Sequence, residues 1–326
     1  MLKDEESDLR ASAAEALGRI GGEATMAVPA LIEVLQDHNA QVRSNAAFAL
    51  GQIGQAAAAA VPALSGLLKD ENAWARASAA YALGRVGGAA KNYAPMLIDL
   101  LQDKNESVRK DAADALGRLG AEARIAVPSL VVLLKDESAP VRKLAAEALG
   151  KIGSDAKAAV PGLVESLKDQ EFVVRMHAAY ALKKIGLPVP EAVVVWTELL
   201  GDKSEHVRGF AAEELGAIGP PAVQAVPALI VCLSDQDRFV RLGAAKGLGK
   251  MGGEAKAAVP ALTASLKDRE SLVRATAATA LGKIGGEAIA AVPALVVLQK
   301  DETPIVRLAA AEAISKISAD ETKRRE

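Results

Sequence analysis

The sequence predicts an all-α fold, a right-handed α-solenoid of ten 33-residue helix pairs. Three observations predict it. Arginine recurs at Arg10, Arg43, Arg76, Arg109, Arg142, Arg175, Arg208, Arg241, Arg274 and Arg307, always 33 residues apart. Six residues before each stands an aspartate, at Asp4, Asp37, Asp70, Asp103, Asp136, Asp169, Asp202, Asp235, Asp268 and Asp301. Hydrophobic residues make up 51% of the chain but aromatic ones only 3%, which suits closely packed Ala, Val, Leu and Ile helices rather than a β-sandwich core. A length of 326 residues would ordinarily suggest two or three domains. A fixed internal period overrides that expectation, because stacked repeats share one continuous core. Residues 1–326 are therefore expected to form a single array, with repeats starting near residues 4, 37, 70, 103, 136, 169, 202, 235, 268 and 301 and the last lacking its second helix.

The first element of each repeat, helix A, surrounds the arginine. The stretch Arg142-Lys143-Leu144-Ala145-Ala146-Glu147-Ala148-Leu149-Gly150-Lys151-Ile152-Gly153 shows the pattern. Apolar residues fall one before the Arg and three, four, six, seven and ten after it. At about 100° per residue these positions gather on one face of an amphipathic helix. The glycine eleven residues after the Arg is expected to end the helix as a left-handed cap. The glycine eight after it lies inside the helix, at a cost of about 1 kcal/mol relative to Ala. Close backbone approach by another element would explain that glycine. Helix B begins at a recurrent proline, as in Ala159-Val160-Pro161-Gly162-Leu163-Val164-Glu165-Ser166-Leu167. Proline suits a first helical turn, where its missing N–H is not needed. Leucines two and six residues later lean on helix A. The two helices, joined by a short Gly-bearing turn, form an αα-hairpin that must stack on its neighbours to bury both faces.

Breaks in the pattern are local. In the sixth repeat Lys183 replaces the interior glycine, Leu187-Pro188-Val189-Pro190 replaces the usual lead into helix B, and Val194 and Trp196 replace its Pro and Leu. A change of solenoid curvature is expected there. The seventh repeat carries Pro220-Pro221, with Glu214 where Ala is usual, and the third carries Asn92-Tyr93-Ala94-Pro95. Such irregularities argue against a purely idealised consensus sequence. The last repeat loses both glycines, to Ser315 and Ser318, and runs into a charged tail from Asp320 to Glu326. Met1-Leu2 fall where the last turn of a helix B belongs, before a first helix A as apolar as the interior copies. This end is expected either to be cut from a longer array or to dock against another chain, which opens a route to self-association.

The recurring Asp…Val-Arg-x-x-Ala-Ala-x-Ala-Leu-Gly-x-Ile-Gly…Ala-Val-Pro-Ala-Leu pattern resembles HEAT repeats of the phycobilisome-lyase type, and the resemblance covers essentially the whole chain. It implies a ladder of Asp and Arg along the inter-repeat turns. Physical chemistry agrees, since a carboxylate is favourable beside a helix start and Arg can grip it bidentately. It implies little about function, because the motif residues are packing residues. Similar repeats occur in bilin lyases, DNA glycosylases and di-iron hydroxylases. The hydroxylases carry His-Glu pairs, which none of His38, His177 and His206 provides.

Composition narrows the chemistry. The formal charge is −2 with both signs mixed, so no basic stripe awaits phosphate and nucleic acid is not expected as a partner. No apolar run reaches the roughly 18 residues of a membrane span. Cys232 is the only cysteine, which forbids an intrachain disulfide and leads to the expectation of a cytoplasmic setting. One Cys and three scattered His cannot build a standard zinc site. The Gly-x-x-Gly pairs follow no strand and punctuate helices instead. No catalytic residue, metal or cofactor is expected. Cys232 takes a helix B position held elsewhere by Ser166 and Ser265, as a small, partly buried residue would.

Function then falls to the irregular positions. On helix A, positions two before and two, five and nine after the Arg lie within about 60° of one another, away from the apolar face. They hold the candidate partner-binding residues Phe48, Trp74, Tyr81, His177, Tyr180, His206, Phe210 and Phe239, together with Leu144, Val173, Leu272 and Ile305. The ninth position is usually basic, as at Arg19, Arg85, Arg118, Lys151, Lys184, Lys250 and Lys283. Aromatic anchors beside a basic rim resemble a protein-binding surface. The same side chains could instead fill grooves between adjacent A helices. A second face lies four residues after the helix B proline, at Glu33, Asp99, Glu165 and Glu198, turning apolar at Val231, Ala264 and Val297. The sequence thus reads as a non-catalytic protein–protein interaction scaffold that presents an extended helical surface to a protein partner. Its alternatives are a bilin-lyase-like enzyme subunit and an assembly protein stacked end to end.

Overall fold

In a computed structural model that describes residues 1–325, every regular element is a helix. The chain falls into two compact units, residues 1–186 and the part from Leu187 onward. In the first unit the A helices are Ser7–Ile20, Ala40–Ile53, Ala73–Val86, Glu106–Leu119, Ala139–Ile152 and Phe172–Ile185, and the B helices are Val28–Glu33, Val61–Leu67, Ala94–Asp99, Val127–Leu133 and Val160–Ser166. In the second unit the A helices are Glu205–Ile218, Arg238–Met251, Ser271–Ile284 and Pro304–Arg325, and the B helices are Val189–Leu199, Val226–Cys232, Val259–Ser265 and Val292–Leu298. Within each unit successive A helices lie side by side and each B helix packs on the A helices beside it. The architecture is an all-α solenoid of repeated helix pairs.

The packing uses the spacing seen in the sequence. In Ala40–Ile53 the side chains of Val42, Ala46, Ala47, Ala49 and Leu50 are fully buried, as is Leu64 of the next B helix. Each fully buried leucine stabilises the stack by about 1.5–3 kcal/mol. Small alanines let the helices approach, and leucines fill what remains. Asn39, Asn72, Asn105 and Asp237 cap their A helices, each side-chain oxygen accepting the N–H groups two and three residues on.

The glycine ending helix A behaves differently from the expected left-handed cap. Its φ is positive in each of nine repeats, but at Gly54 φ is 72° and ψ is −136°. That is the mirror image of extended backbone, a region only glycine enters freely. The chain therefore turns sharply, while the Gly54 N–H still donates to the Leu50 carbonyl. The connection to helix B is longer than the short turn expected. It is a seven-residue 3-10 segment, such as Gly54–Ala60 or Gly153–Ala159. Three residues per turn place Ala57 and Ala60 on one side, where both are fully buried.

The breaks also have structural counterparts. Gly186 takes φ 84° and ψ 96°, no 3-10 segment comes after it, and helix B of that repeat, Val189–Leu199, extends to 11 residues. The first unit ends at this glycine. In the last repeat, with serines in place of glycines, helix A does not stop but runs from Pro304 to Arg325. Asp320, expected in a charged tail, sits on this helix and accepts the Gly286 N–H at 2.7 Å. Glu326, at the end of the same tail, lies outside the described residues. The first helix A buries Ala11, Ala14 and Gly18 and leaves Leu9 and Ile20 exposed.

Two stretches, Ala40–Leu67 and Ser271–Leu298, are long and apolar enough to cross a membrane by length and composition alone. Each is an A helix and a B helix parted by a glycine of positive φ, Gly54 (72°) or Gly285 (75°), and about half of each is buried in packing.

Candidate functional site

The recurring charges are consumed in holding repeats together. Arg43 Nε and Nη2 donate to Asp70 Oδ2 and Oδ1 at 2.7 and 2.8 Å, across one repeat boundary. Its Nη1 donates at 2.8 Å to the carbonyl of Asp37, the aspartate of its own repeat. Asp70 Oδ1 also accepts the Asn72 N–H at 2.8 Å, which orders the turn before the next helix A. The same grip joins Arg10 to Asp37, Arg76 to Asp103, Arg109 to Asp136 and Arg142 to Asp169 in the first unit. In the second unit it joins Arg208 to Asp235, Arg241 to Asp268 and Arg274 to Asp301. The arginine hydrogen bonds hold Asp37 and Asp235 below the ordinary carboxylate value. At Asp70 and Asp103 burial is the largest influence and pushes upward, yet the arginine and the turn N–H outweigh it and the net shift is downward. This is the ladder that the resemblance implied.

The interior glycine now has its partner. A Cβ added to Gly84 would lie 2.7 Å from the Cα of Ala115, the alanine six after the next repeat's arginine. Gly117 meets Ala148 and Gly249 meets Ala280 in the same way, each at 2.9 Å. The basic side chain at the ninth position runs over this seam, with Arg118 Cδ 3.3 Å from the added Gly84 Cβ. Much of the basic rim is thus stem packing and local pairing. Arg118 bonds Asp114 at 2.7 Å, Lys151 bonds Glu147 at 2.8 Å and Arg19 bonds Glu15 at 2.7 Å.

The aromatic residues do not form one uniform stripe. In the first unit Trp74, Phe48 and Tyr180 are exposed, by 66, 41 and 45%. Tyr81 is half-buried: it stacks on Phe48 with centroids 5.2 Å apart, and its ring closes over Gly51. His177 is also half-buried, with Nδ1 2.7 Å from the Val173 carbonyl of its own helix. In the second unit Phe239 is exposed by 59%, with the Arg238 guanidinium 4.8 Å from its ring centroid, and His206 is exposed too. Phe210 corrects the expectation. It is buried and meets Trp196 edge-on at 5.7 Å, so it packs and is not presented to a partner.

The physical reason lies in azimuth. In the first unit the position two after the arginine faces the preceding A helix, as the bond from Asn45 Nδ2 to the Ala11 carbonyl (3.0 Å) shows, and in the second unit Phe210 at that position is met by Trp196 of the preceding helix B. Only the positions two before, five after and nine after it look outward. Two exposed side chains escaped the sequence pattern. Phe172 sits one residue before the expected stripe, and Val132 is 70% exposed four residues after Pro128. The proline spacing that singled out Val231 and Val297 would have found Val132.

Two open grooves lie beside the ladder. One of about 680 Å³ in the first unit is lined by Lys135, Asp136, Glu137, Arg142, Glu165, Lys168 and Asp169, among others. One of about 620 Å³ in the second unit is lined by Leu233, Ser234, Asp235, Gln236, Arg241, Asp268 and Arg269. Their principal charges already belong to the ladder. Cys232 is buried, which pushes its thiol up to about 11. Among the described residues, no group of three or more His, Cys, Asp or Glu side chains is placed to hold a metal ion.

Comparison with known proteins places this architecture. The family model for HEAT repeats matches residues 1–84, 62–131, 127–195, 193–282 and 226–315. The chain belongs to the HEAT-repeat family. This HEAT-repeat protein is similar to the crystal structure of an engineered protein, at 27% identity and a TM-score of 0.66 over 97% of both chains. It is similar to a chain in the structure of Kap95p with RanGDP, at 16% identity and a TM-score of 0.58, over 96% of this chain and 50% of that one. At that identity the likeness shows the fold alone. The complex of CpcE and CpcF of phycocyanin lyase from Nostoc sp. PCC7120 gives 27% identity over 72% of this chain and 92% of that one, with a TM-score of 0.46 that carries no argument about activity. A comparison with curated proteins gave no match.

Proposed function

We propose that this chain is a non-catalytic scaffold that binds a protein partner through outward side chains of its A-helix face. One observation supports the reading above the others. The recurring Arg, Asp, Gly, Ala and Leu hold neighbours together, while irregular positions leave Trp74 and Phe239 exposed by 66 and 59%. Large aromatics standing in water on closely packed helices are what an interaction hot spot requires. The Kap95p of the comparison takes RanGDP as its partner, and a partner of protein nature is carried over here by fold analogy. The buried Cys232, with its thiol at about 11, offers little thiolate for covalent chemistry at neutral pH.

Quantitative affinity capture tests the reading. The wild-type chain is expected to retain a defined protein that a Trp74→Ala, Tyr180→Ala, Phe239→Ala variant loses. Equal capture by both would retire the A-helix face as the binding surface. A visible absorption band after incubation with free bilin would favour the lyase alternative instead.

A further inference from the structure

We infer that the A-helix face of the second unit docks an amphipathic helix that is acidic along one flank. The inference rests on the scaffold reading and adds the partner's chemistry. Helices Arg238–Met251, Ser271–Ile284 and Pro304–Arg325 carry Phe239, Leu272 and Ile305 at the same position, exposed by 59, 53 and 54%. These side chains form an apolar ridge across adjacent helices. Lys250, Lys283 and Lys316 stand exposed eleven residues further along each helix, on nearly the same azimuth and about 16 Å away along the axis. Side chains on a helix lean back toward its N-terminus, which brings the ammonium groups nearer the ridge. Lys246 stands exposed between the two rows.

The charge on this face is left largely unpaired, although Glu312 stands exposed one turn before Lys316. Among the described residues no carboxylate lies within ion-pair distance of Lys246, Lys250, Lys283 or Lys316. The first unit differs: there Arg19, Arg118 and Lys151 are each paired with an acid one turn earlier, Glu15, Asp114 and Glu147. The sequence reason is the fifth position, which is acidic in those repeats but is Lys246 and Thr279 in the eighth and ninth. On the opposite side of the ridge the charges are already engaged. Asp237 accepts the Phe239 and Val240 N–H groups, and Glu270 faces Arg238 at 3.8 Å. The surplus is therefore positive and one-sided.

That asymmetry selects the occupant. Neighbouring helix axes lie about 8–10 Å apart, and seven residues of a helix span about 10.5 Å. A helix laid across the three A helices would meet Phe239, Leu272 and Ile305 with an apolar residue at every seventh position. Its flank toward the lysines would carry Asp or Glu. An anionic bilayer would call for free cations on both sides of the apolar ridge, and on the far side Arg238 already faces Glu270 and Arg269 donates to the Gln236 carbonyl.

The test uses the full chain and a defined probe. A fluorescein-labelled peptide of about 21 residues would carry Leu at every seventh position, Glu along one flank and Gln along the other, with binding read by anisotropy. Saturable binding is expected. It should weaken roughly tenfold or more in Phe239→Ser/Leu272→Ser and in Lys250→Glu/Lys283→Glu, and a probe with Lys in place of Glu should bind at least about tenfold more weakly than the acidic one. These are surface substitutions, and an unchanged circular dichroism melt confirms that the variants fold. No saturable binding of the acidic probe, equal binding of both probes, or variants that bind like the wild type would each overturn the proposal. So would co-sedimentation with phosphatidylserine vesicles that Lys250→Glu/Lys283→Glu abolishes while the peptide stays free. Each of these failures leaves the scaffold reading standing on its own capture experiment, which also probes Trp74 and Tyr180 of the first unit.

Discussion

Replacing Gly84 with alanine tests the central packing idea directly. On an isolated helix the change would be favourable, because glycine in a helix interior costs about 1 kcal/mol relative to alanine. In this stack the new Cβ would lie 2.7 Å from Ala115 Cα and 3.0 Å from Ala115 Cβ. Carbon atoms in good contact sit about 3.5–4.0 Å apart, so the neighbouring backbone must retreat by about 1 Å. Overpacking of this kind costs about 1–3 kcal/mol. The retreat also pulls on the Arg76–Asp103 grip, whose hydrogen bonds of 2.8 and 2.9 Å join the same two repeats. Gly84→Ala is therefore expected to lose about 2 kcal/mol, because overpacking and a stretched ladder outweigh the gain in propensity. Gly66 is the matched control. It lies in Val61–Leu67 with no neighbour within 4 Å of an added Cβ, and Gly66→Ala is expected to gain about 0.5–1 kcal/mol. Urea unfolding followed by far-ultraviolet circular dichroism would compare the two. The slope of each curve must be compared as well as its midpoint, because a repeat array can lose cooperativity. If Gly84→Ala proves as stable as Gly66→Ala, the glycine is not there for close approach and the account of the seam is wrong.

The ladder, two titrations and the thiol give further expectations. Asp103→Asn leaves the buried Arg76 without its carboxylate and is expected to cost about 3 kcal/mol, read in the same urea experiment. Asp37, Asp70, Asp103, Asp169, Asp235, Asp268 and Asp301 are all held below their ordinary values. Their stabilisation is complete above the unfolded carboxylate value of about 4 and is lost as pH falls through the folded values. Urea midpoints should therefore drop steeply in acid, and a flat profile between about pH 5 and 2 would contradict the ladder's role. Asp111 runs the other way. Burial raises it to about 6, Lys110 opposes the shift and Asp114 adds to it. Its charged form costs stability that is absent below about pH 4 and complete above about pH 6. Asp111→Asn should gain about 2 kcal/mol at pH 8, with the gain vanishing near pH 4. Cys232 should react slowly with a thiol reagent in the native chain and rapidly in urea; equal rates would contradict its burial.

The period, the helix pairs and the Asp–Arg registers were legible because each depends on spacing along a single segment. A helix places residues at fixed angles whatever surrounds it, so Val42, Ala46 and Leu50 announce a buried face before any partner is known. Gly54 announces a chain reversal in the same way. The contacts between helices were only partly legible. The interior Gly84 signalled close approach without naming Ala115. The rings of Trp74 and Phe210 looked equivalent in the repeat pattern, yet Trp74 is exposed and Phe210 is buried.

The sequence by itself determined the repeating helix pair, the glycine at which helix A ends, its inward face and the residues that join one pair to the next. These arise from local geometry and from a period that never slips. The tertiary structure alone decided which outward positions remain outward. Adjacent A helices cover one another's flanks, so the arc left to solvent is narrower than a lone helix would leave: much of Tyr81 falls outside it, and Trp196 of helix B meets Phe210 edge-on. It also added charge pairings between helices, such as Lys151 with Asp114 at 3.6 Å, beyond those one turn apart on a single helix. Burial and pairing depend on neighbours brought together by the fold, and spacing along one chain segment does not carry that information.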